Sequence, residues 1–356
     1  MKKVVMLAPT PPPMGGMATW ALRVLDGKLK NNWESVLVEE RIVGKREMFG
    51  NHTKRNLWAE TKRCCKIWNE LRGKLKDQNA LVVHSSIPAN TLPILREYVC
   101  ACITRLRKRK FILHFHCTIP NTVTGRLNRF MVKQICKKCD GVIVLNQQSK
   151  DYLEPLTKTP VWIVPNFVDD EELVEAHRIN ETIKTALYVG GVIESKGCLE
   201  IIKLAKAYPD IEFRMVGRAE DRVTDAAQGL SNVTFVGLLD RDGVRKELEN
   251  ADVFLFLSFF PGEGFSCALT EAMAAGLPCL VSDWAANKIM IEDKGGRVVP
   301  VKATQQAIDA LGEMMSADIR QAQSQFNIHK VRTQYSKDVI LGSYVDCYEA
   351  VLERKA

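Results

Sequence analysis

The stretch from Glu263 to Asp283 reads EGFSCALTEAMAAGLPCLVSD and predicts one helix followed by one strand. Ser266 favours a helix start just after Glu263, Gly276 favours its end, and the apolar run PCLVSD follows at once. The helix is small and apolar, yet Glu263 and Glu271 bring two carboxylates to it. Either these are a helix-dipole glutamate and a solvated glutamate, or both bind a ligand.

Short apolar, β-branched runs alternate with helical segments along the rest of the chain. Continuous apolar strands separated by helices are typical of parallel sheets covered on both faces. The candidate strands are Lys2–Ala8, Ser35–Glu40, Ala80–Ser85, Lys110–His116, Gly141–Asn146 and Val161–Asn166, then Thr185–Gly191, Glu212–Gly217, Val233–Gly237, Val253–Ser258 and Pro278–Asp283. Two such sets in tandem predict an α/β protein with two Rossmann-like domains.

The domain boundaries follow from the same pattern and from the length of 356 residues, which exceeds a usual single domain. We expect a first domain over residues 1–166 and a second over residues 167–335. An acidic stretch after Asn166, FVDDEELVEAHRINE, is the expected hinge. Residues 336–356 are expected to form a C-terminal helix that packs back on the first domain, because no strand follows them.

Composition narrows the function class. A hydrophobic fraction of 46% and a charged fraction of 26% are those of a soluble globular protein. No apolar run approaches the ~20 residues that span a bilayer, and MKKVVMLAP is too short for a signal peptide. We therefore expect a cytoplasmic protein whose eleven cysteines are reduced. Cys136 and Cys139 form a CxxC without a second pair, so no metal site is expected.

Charge is distributed unevenly along the chain. Residues 1–150 hold 28 Lys/Arg against 10 Asp/Glu, whereas residues 151–356 hold 22 against 32. The basic segment Thr53–Lys76 carries Trp58 and Trp68 at helical spacing, and residues 105–110 read RLRKRK. Such segments fit an interfacial helix on anionic lipid, or a packed helix with a solvated basic face. Without a recognisable nucleic-acid motif, we expect no nucleic-acid partner.

The loops after the strands are the places where open α/β sheets bind ligands. Gly15 and Gly16 precede a helix and let a phosphate approach the backbone, although such a pair is also an ordinary turn. His116, with His114 on the same strand face, ends a strand and is either structural or functional. Lys196 follows the first strand of the second domain and is either a diphosphate ligand or an ordinary loop lysine.

The helix after Glu263 offers free N–H groups and positive potential, which suit a nucleotide diphosphate. Carboxylates accept hydrogen bonds from vicinal hydroxyls in pairs, so hexose and ribose are natural partners of Glu263 and Glu271. The sequence therefore predicts a sugar-nucleotide site around this helix.

The pattern Glu263…Glu271 within FPGEGFSCALTEAMAAGLPCLVSD resembles the E-x7-E signature of retaining glycosyltransferases of family 4. PPPMGGMATW is similar to the glycine loop of that family, HFHCT to its strand-end histidine, IVPNFVD to its inter-domain segment, and YVGGVIESKG to its phosphate-binding turn. The resemblance covers nearly the whole chain. It implies the GT-B fold, with two Rossmann-like domains that face each other across a cleft.

The resemblance also implies roles for individual residues. Glu263, His116 and Lys196 would act at the reacting sugar and its diphosphate, and Glu271 would bind the ribose. The residues implied to bind the donor are Gly15, Gly16, Gly191, Lys196, Arg218, Gly264, Phe265, Ser266, Cys267, Ala268, Leu269 and Glu271. Gly191 stands where the family usually has a diphosphate-binding arginine, and Arg218 is a candidate replacement.

The function that this resemblance implies is transfer of a hexose from a UDP- or GDP-linked sugar to a lipid-linked or polysaccharide acceptor, with retention of configuration. It belongs to cell-surface glycan biosynthesis, with the nucleotide sugar as substrate and neither a metal nor another cofactor expected. We expect the protein on the inner face of the plasma membrane as a peripheral, cytoplasmic enzyme. The alternative is a non-catalytic GT-B partner subunit that scaffolds a glycan synthase there, which the Gly191 departure favours.

Overall fold

The computed structural model describes residues 1–12, 15–41 and 57–354. The chain divides into two compact units, the first formed by Met1–Asn166 with Lys337–Ala356 and the second by Phe167–Ser336. Residues 13–14 of the glycine loop and residues 53–56 of the predicted basic helix lie outside the described residues.

The first unit contains a parallel sheet of six strands in the order β2-β1-β3-β4-β5-β6. The strands are β1 (Lys2–Ala8), β2 (Trp33–Glu39), β3 (Ala80–Ile87), β4 (Lys110–Phe115), β5 (Gly141–Val144) and β6 (Val161–Ile163). Its helices are α1 (Gly16–Asp26), α2 (Leu57–Lys74), α3 (Thr91–Leu106), α4 (Ile119–Thr122), α5 (Arg126–Cys136) and α6 (Gln147–Leu153).

The second unit contains another parallel sheet of six strands, in the order β12-β11-β10-β7-β8-β9. The strands are β7 (Thr185–Val189), β8 (Glu212–Val216), β9 (Val233–Gly237), β10 (Val253–Phe256), β11 (Cys279–Ser282) and β12 (Gly296–Val299). The helices that follow along the chain are α7 (Cys198–Ala207), α8 (Asp221–Ala226), α9 (Arg241–Asn250), α10 (Cys267–Ala274), α11 (Asn287–Ile291), α12 (Thr304–Glu313) and α13 (Ala317–Lys330), and then α14 (Lys337–Glu353).

Apolar strands determine this architecture. In β1, every residue from Val4 to Ala8 is buried, and so is every residue of β10. A strand buried on both faces needs helices on both sides of its sheet, and parallel pairing supplies them through helical crossovers. The predicted α/β class with two parallel sheets is therefore confirmed.

The C-terminal helix α14 packs against the first unit. Trp20 Nε1 donates to the Tyr344 hydroxyl at 2.8 Å, and Trp33 Nε1 donates to Glu349 Oε1 at 2.7 Å. Lys2 pairs with the same Glu349 carboxylate. Helix α14 is thus joined to α1 through the buried Trp20–Tyr344 pair and to β1 and β2 through the half-exposed Glu349 carboxylate.

Three sequence expectations differ from the structure. The helix expected just after Glu263 begins at Cys267, because Ser266 caps it and residues 263–266 form a loop. Strand β12 was not predicted, since its four residues, GRVV, are too short to show a period. Several predicted strands end one to three residues earlier, as β6 does at Ile163.

The basic helix α2 is more firmly packed than an interfacial helix would be. Ile67 and Leu71 are fully buried, and Trp68 packs against the core and donates through Nε1 to the Arg96 carbonyl at 3.4 Å. Trp68 is therefore half-buried with its ring against the core, which corrects its predicted place on the lipid face. Trp58 remains 68% exposed. No helix among the described residues is long and apolar enough to cross a bilayer.

Candidate functional site

A tight turn in the second unit positions Lys196. The turn spans Glu194–Lys196 and ends at Gly197, whose φ is +78°. A Cβ at Gly197 would lie 2.1 Å from the Leu257 carbonyl oxygen, so only glycine fits this close approach. The Ser195 carbonyl also accepts a hydrogen bond from Phe259 N at 2.9 Å. The loop after β7 is therefore fixed to the loop after β10.

Lys196 and Glu263 meet between these two loops. The Lys196 ammonium donates to Glu263 Oε2 in a short ion pair, and both side chains are largely buried. Ser258 Oγ donates to the same oxygen at 3.3 Å. The Oε1 atom of Glu263 has no hydrogen-bond partner among the residues that the structure describes.

Aromatic side chains surround the ammonium group. Lys196 Nζ lies 4.7 Å from the centroid of the Phe260 ring and 5.8 Å from that of Phe256. Ring faces attract a cation and exclude water, which strengthens the charge interactions at this point.

The loop that carries Glu263 is held at both ends. Trp284 Nε1 donates to the Phe260 carbonyl at 2.8 Å, and Glu263 N closes a turn on the same carbonyl at 3.0 Å. Gly264, Phe265 and Ser266 are buried, and the Phe265 ring meets that of Tyr335 at a centroid distance of 5.0 Å. These contacts fix the direction of the Glu263 carboxylate.

Helix α10 starts immediately after this loop. Ser266 Oγ accepts from Leu269 N at 3.3 Å, so the N–H of Leu269 is already used in capping. Cys267 and Ala268, half-buried in the first turn, are the positions where an anion could meet the backbone. Glu271 lies one turn further along and is also half-buried.

Gly191 and Arg218 lie on neighbouring strand-end loops. Val192 N donates to the Arg218 carbonyl at 2.9 Å, and a Cβ at Gly217 would lie 1.8 Å from the Gly190 carbonyl oxygen. The Gly191 carbonyl accepts from the Tyr188 hydroxyl at 2.8 Å. Arg218 is exposed beside the position where the family pattern has arginine, and its role as a replacement stays a prediction.

The remaining predicted residues belong to the first unit. Gly15 caps α1 in an extended conformation, with φ at −178°, and Gly16 is the first residue of that helix. No acidic residue occupies the first turn of α1. The helix N-terminus therefore keeps its positive potential.

His116 is half-buried and belongs to a cluster of three histidines, of which His84 and His114 are fully buried. Its ring lies 4.0 Å from that of His114 and 4.5 Å from that of Trp20, and His84 Nε2 lies 3.2 Å from His114 Nδ1. Tyr348 Oη is 2.7 Å from His84 Nδ1. The expectation that His114 and His116 share a strand face is confirmed.

Burial controls the charge of this cluster. Loss of solvation lowers the pKa of His84 and that of His116 to about 3, and it holds the pKa of His114 well below its usual value. All three imidazoles are neutral at pH 7 as a result. His116 Nε2 and His114 Nε2 are buried atoms without a hydrogen-bond partner among the described residues, and the functional role of His116 stays a prediction.

Two features escaped the sequence interpretation. Ser258 is fully buried and positions Glu263. The only indication of this role in the sequence is that Ser258 is a polar residue at the end of the apolar run VFLFLS. Helix α5 exposes 66% of Leu127 and 58% of Phe130 beside Arg126 and Arg129. The signal for α5 was an amphipathic pattern whose apolar residues do not all face the core.

The second unit carries the pattern of a known family over most of its length. The family described as "Glycosyl transferases group 1" matches residues 169–330, and the one described as "Glycosyltransferase Family 4" matches residues 14–172. The chain belongs to the family 4 glycosyltransferases. Each unit matches one of the two family models, and the two matches together span residues 14–330.

Individual proteins agree with this assignment. A phosphatidyl-myo-inositol mannosyltransferase of Mycobacterium leprae is 24% identical over 259 residues, which is 69% of each chain. A sucrose-phosphate synthase from Thermosynechococcus elongatus superposes with a TM-score of 0.77 over 99% of each chain at 14% identity. The Anabaena HepE structure, solved with UDP, gives a TM-score of 0.72 at 13% identity and covers 98% of this chain and 100% of its own. These structures establish the GT-B fold of this family 4 glycosyltransferase.

Proposed function

We propose that the protein is a retaining hexosyltransferase that uses a UDP- or GDP-linked sugar and a lipid-linked or polysaccharide acceptor in cell-surface glycan biosynthesis. The observation that carries the proposal is the pair of Lys196 and Glu263, fixed between two strand-end loops just before α10. One group is a cation suited to a diphosphate, and the other is a carboxylate suited to sugar hydroxyls.

The pair predicts an exchange of partners when a donor binds. A diphosphate would compete with Glu263 for the Lys196 ammonium, and the released carboxylate would accept hydrogen bonds from vicinal sugar hydroxyls. Ser258 would keep Glu263 oriented during this exchange, because its hydroxyl donates to the same carboxylate. Because both side chains are largely buried, the diphosphate has to replace the Glu263 contact of Lys196 as that contact opens.

Bond cleavage between the sugar and the diphosphate increases negative charge on the leaving group. Lys196 and the first turn of α10 are positioned to stabilise that charge, which makes them contributors to turnover. Glu263 would orient the donor, and Glu271 would bind the ribose. The roles predicted for Gly15, Gly16 and His116 in the first unit stay predictions, as do retention and independence from metal ions.

A lipid-linked acceptor is supported by two observations. The matched Mycobacterium leprae protein is a mannosyltransferase of a phosphatidylinositol. Helix α5 presents Leu127 and Phe130 to solvent beside cations, which is suited to an anionic membrane surface. We therefore propose peripheral association with the inner face of the plasma membrane, in the cytoplasm.

The decisive experiment is a donor screen with the purified protein. UDP- and GDP-linked hexoses are offered with a membrane lipid extract, and release of nucleoside diphosphate is measured together with transfer of radiolabelled sugar. The proposal expects one donor to be consumed and its sugar to appear in the lipid or glycan fraction. Binding of a nucleotide without any transfer would instead identify a non-catalytic partner subunit.

A further inference from the structure

A basic cavity lies at the amino-terminal edge of the first unit's sheet. Its volume is about 750 Å³, and it opens to solvent. Lys110 starts β4 at its floor, and the segments before β5 and β6 form its walls. The strands of this sheet are parallel, so the cavity and His116, which follows the other end of β4, lie at opposite edges of the sheet.

The cavity has an excess of positive charge. Its cations are Lys110, Lys133, Lys137, Lys158 and Arg354, and its carboxylates are Asp140 and Glu154. Asp140 is already engaged, because Oδ1 lies 3.2 Å from Lys110 Nζ and Oδ2 accepts from Phe111 N at 2.9 Å. Glu154 lies 3.8 Å from Lys150, one turn back along the chain.

Four of the five cations thus have no ion pair with any described residue. They come from separate segments: Lys133 and Lys137 from the end of α5, Lys158 from the loop after α6, and Arg354 from the end of α14. Lysines at a helix C-terminus also complement the helix dipole, which accounts for the two on α5. The helix dipole does not account for Lys158 or Arg354. These two cations line the same cavity as the lysines of α5, so like charges face one another there.

We propose that this cavity binds a multivalent phosphate, such as a diphosphate or a phosphomonoester. Lysine ammonium groups bind phosphate as point charges with several donors each, and a dianion would relieve the repulsion among the converging cations. A soluble phosphorylated molecule and a lipid phosphate headgroup share this chemistry. The site is separate from the Lys196–Glu263 pair, so it adds a binding function to the proposed transferase.

The probe is inorganic pyrophosphate, titrated into the full-length protein and followed by calorimetry. All variants carry Lys196→Ala and keep every other residue of the candidate donor site, so any pyrophosphate bound at that site is the same in the cavity variant and in the control. Lys137→Ala with Lys158→Ala removes two exposed cations from the cavity. Lys28→Ala with Lys206→Ala removes the same charge elsewhere, from two other exposed positions.

We expect the cavity variant to bind pyrophosphate at least tenfold more weakly than the parent, whereas the control variant should bind as the parent does. Pyrophosphate binding by the cavity variant should also depend less on salt concentration than binding by the parent does. Equal affinity in the cavity variant and the control would overturn the proposal. Circular dichroism melts of both variants establish that the exposed substitutions leave the fold intact.

A second measurement distinguishes the two sources of the phosphate. Vesicles of phosphatidylcholine with or without phosphatidic acid are sedimented with each variant. Retention on phosphatidic acid that falls in the cavity variant and is competed by pyrophosphate assigns a lipid headgroup to the site. Unchanged retention, together with weakened pyrophosphate binding, assigns a soluble phosphate.

Discussion

Lys196 and Glu263 form an ion pair that a donor diphosphate would have to open. In the absence of a donor, each group neutralises the charge of the other. Both groups are held in position before a donor binds. The Gly197 turn fixes the lysine, and Ser258 with Trp284 fixes the loop that carries Glu263. Such preorganised groups cost little reorganisation at the moment when charge develops.

Lys196→Ala should therefore reduce turnover more than substrate binding. We expect kcat to fall roughly 100-fold, with a much smaller change in KM, because the ammonium acts where charge grows in the transition state. Steady-state release of nucleoside diphosphate measures both constants. Lys206→Ala, an exposed lysine of the same unit, is the matched control. Full activity of the Lys196 variant would direct attention to Arg218 instead.

Glu271→Ala should weaken nucleotide binding and leave the fold intact. Loss of a charged pair of contacts to ribose hydroxyls costs about 1.5–3 kcal/mol, or roughly 10- to 150-fold in Kd. Calorimetric titration with UDP and GDP measures the loss, and Glu249→Ala, at an exposed position on α9, is the control. Unchanged affinity for both nucleotides would contradict the whole site assignment.

The sequence identified the charged members of this site but not the groups that position them. Glu263, Glu271 and Lys196 stood out because charged residues in glycine-rich or apolar surroundings are unusual. Ser258 did not, since a serine at the end of a strand is an ordinary turn residue. Its contact with Glu263 depends on the packing of two loops, which no local pattern encodes.

At the scale of elements, helix α14 and the histidine cluster form one buried assembly. His84 contacts Tyr348 of α14, while His114 and His116 extend the cluster along β4 towards the strand's carboxyl end. Trp20 of α1 contacts all three imidazole rings. Protonation of any of these imidazoles would place a charge in an apolar interior.

Stability should consequently decrease as the pH falls from about 6.5 to about 3. In this range the unfolded chain binds protons at His84 and His116, whose usual pKa is near 6.5, while the folded protein excludes them with a pKa of about 3. Each histidine removes ~1.4 kcal/mol of unfolding free energy per pH unit. Above pH 7 this contribution is complete.

Urea unfolding at several pH values between 7.5 and 4.5 measures this dependence. His116→Gln should flatten the slope by the share of one histidine, whatever its effect on absolute stability. Gln325→Ala, at an exposed position on α13, changes no titratable group and should leave the slope as it is. Identical slopes in all three proteins would show that the cluster is not the group that titrates.

Elements with a long, continuous period were predictable, and short ones were not. The observed bounds of β1, Lys2–Ala8, match the prediction, because a continuous apolar run follows two lysines and ends at a proline-rich loop. The four residues of β12 were missed, and α10 was expected to start three residues early. Both errors arise where tertiary contacts, rather than local preference, decide the boundary.

At the scale of the whole molecule, charge is the dominant asymmetry. Residues 1–150, which hold 28 Lys/Arg against 10 Asp/Glu, lie entirely within the first unit. The sequence predicted an anionic partner for this half of the chain, and it placed the residues that insert into lipid on α2. The structure buries most of that helix's apolar face, and exposed apolar residues next to cations include Trp58, Leu106, Leu127 and Phe130.

The last prediction concerns binding to anionic vesicles in cosedimentation. The protein should bind strongly at low salt, since each basic residue near the surface contributes about 1 kcal/mol. The attraction decays over ~8–10 Å at physiological salt, so raising the salt should release much of the protein. A smaller, salt-resistant fraction should remain, held by insertion of Leu127 and Phe130.

Leu127→Ser with Phe130→Ser should remove most of this salt-resistant fraction and leave low-salt binding nearly unchanged, because no cation is lost. Leu238→Ser with Leu239→Ser changes two exposed leucines of the second unit, where the sequence is acidic, and should alter neither fraction. Equal partition onto neutral and anionic vesicles would mean that charge does not drive binding. Absence of binding to either would contradict the membrane role, and the basic residues of the first unit would then serve a soluble acidic partner or no partner.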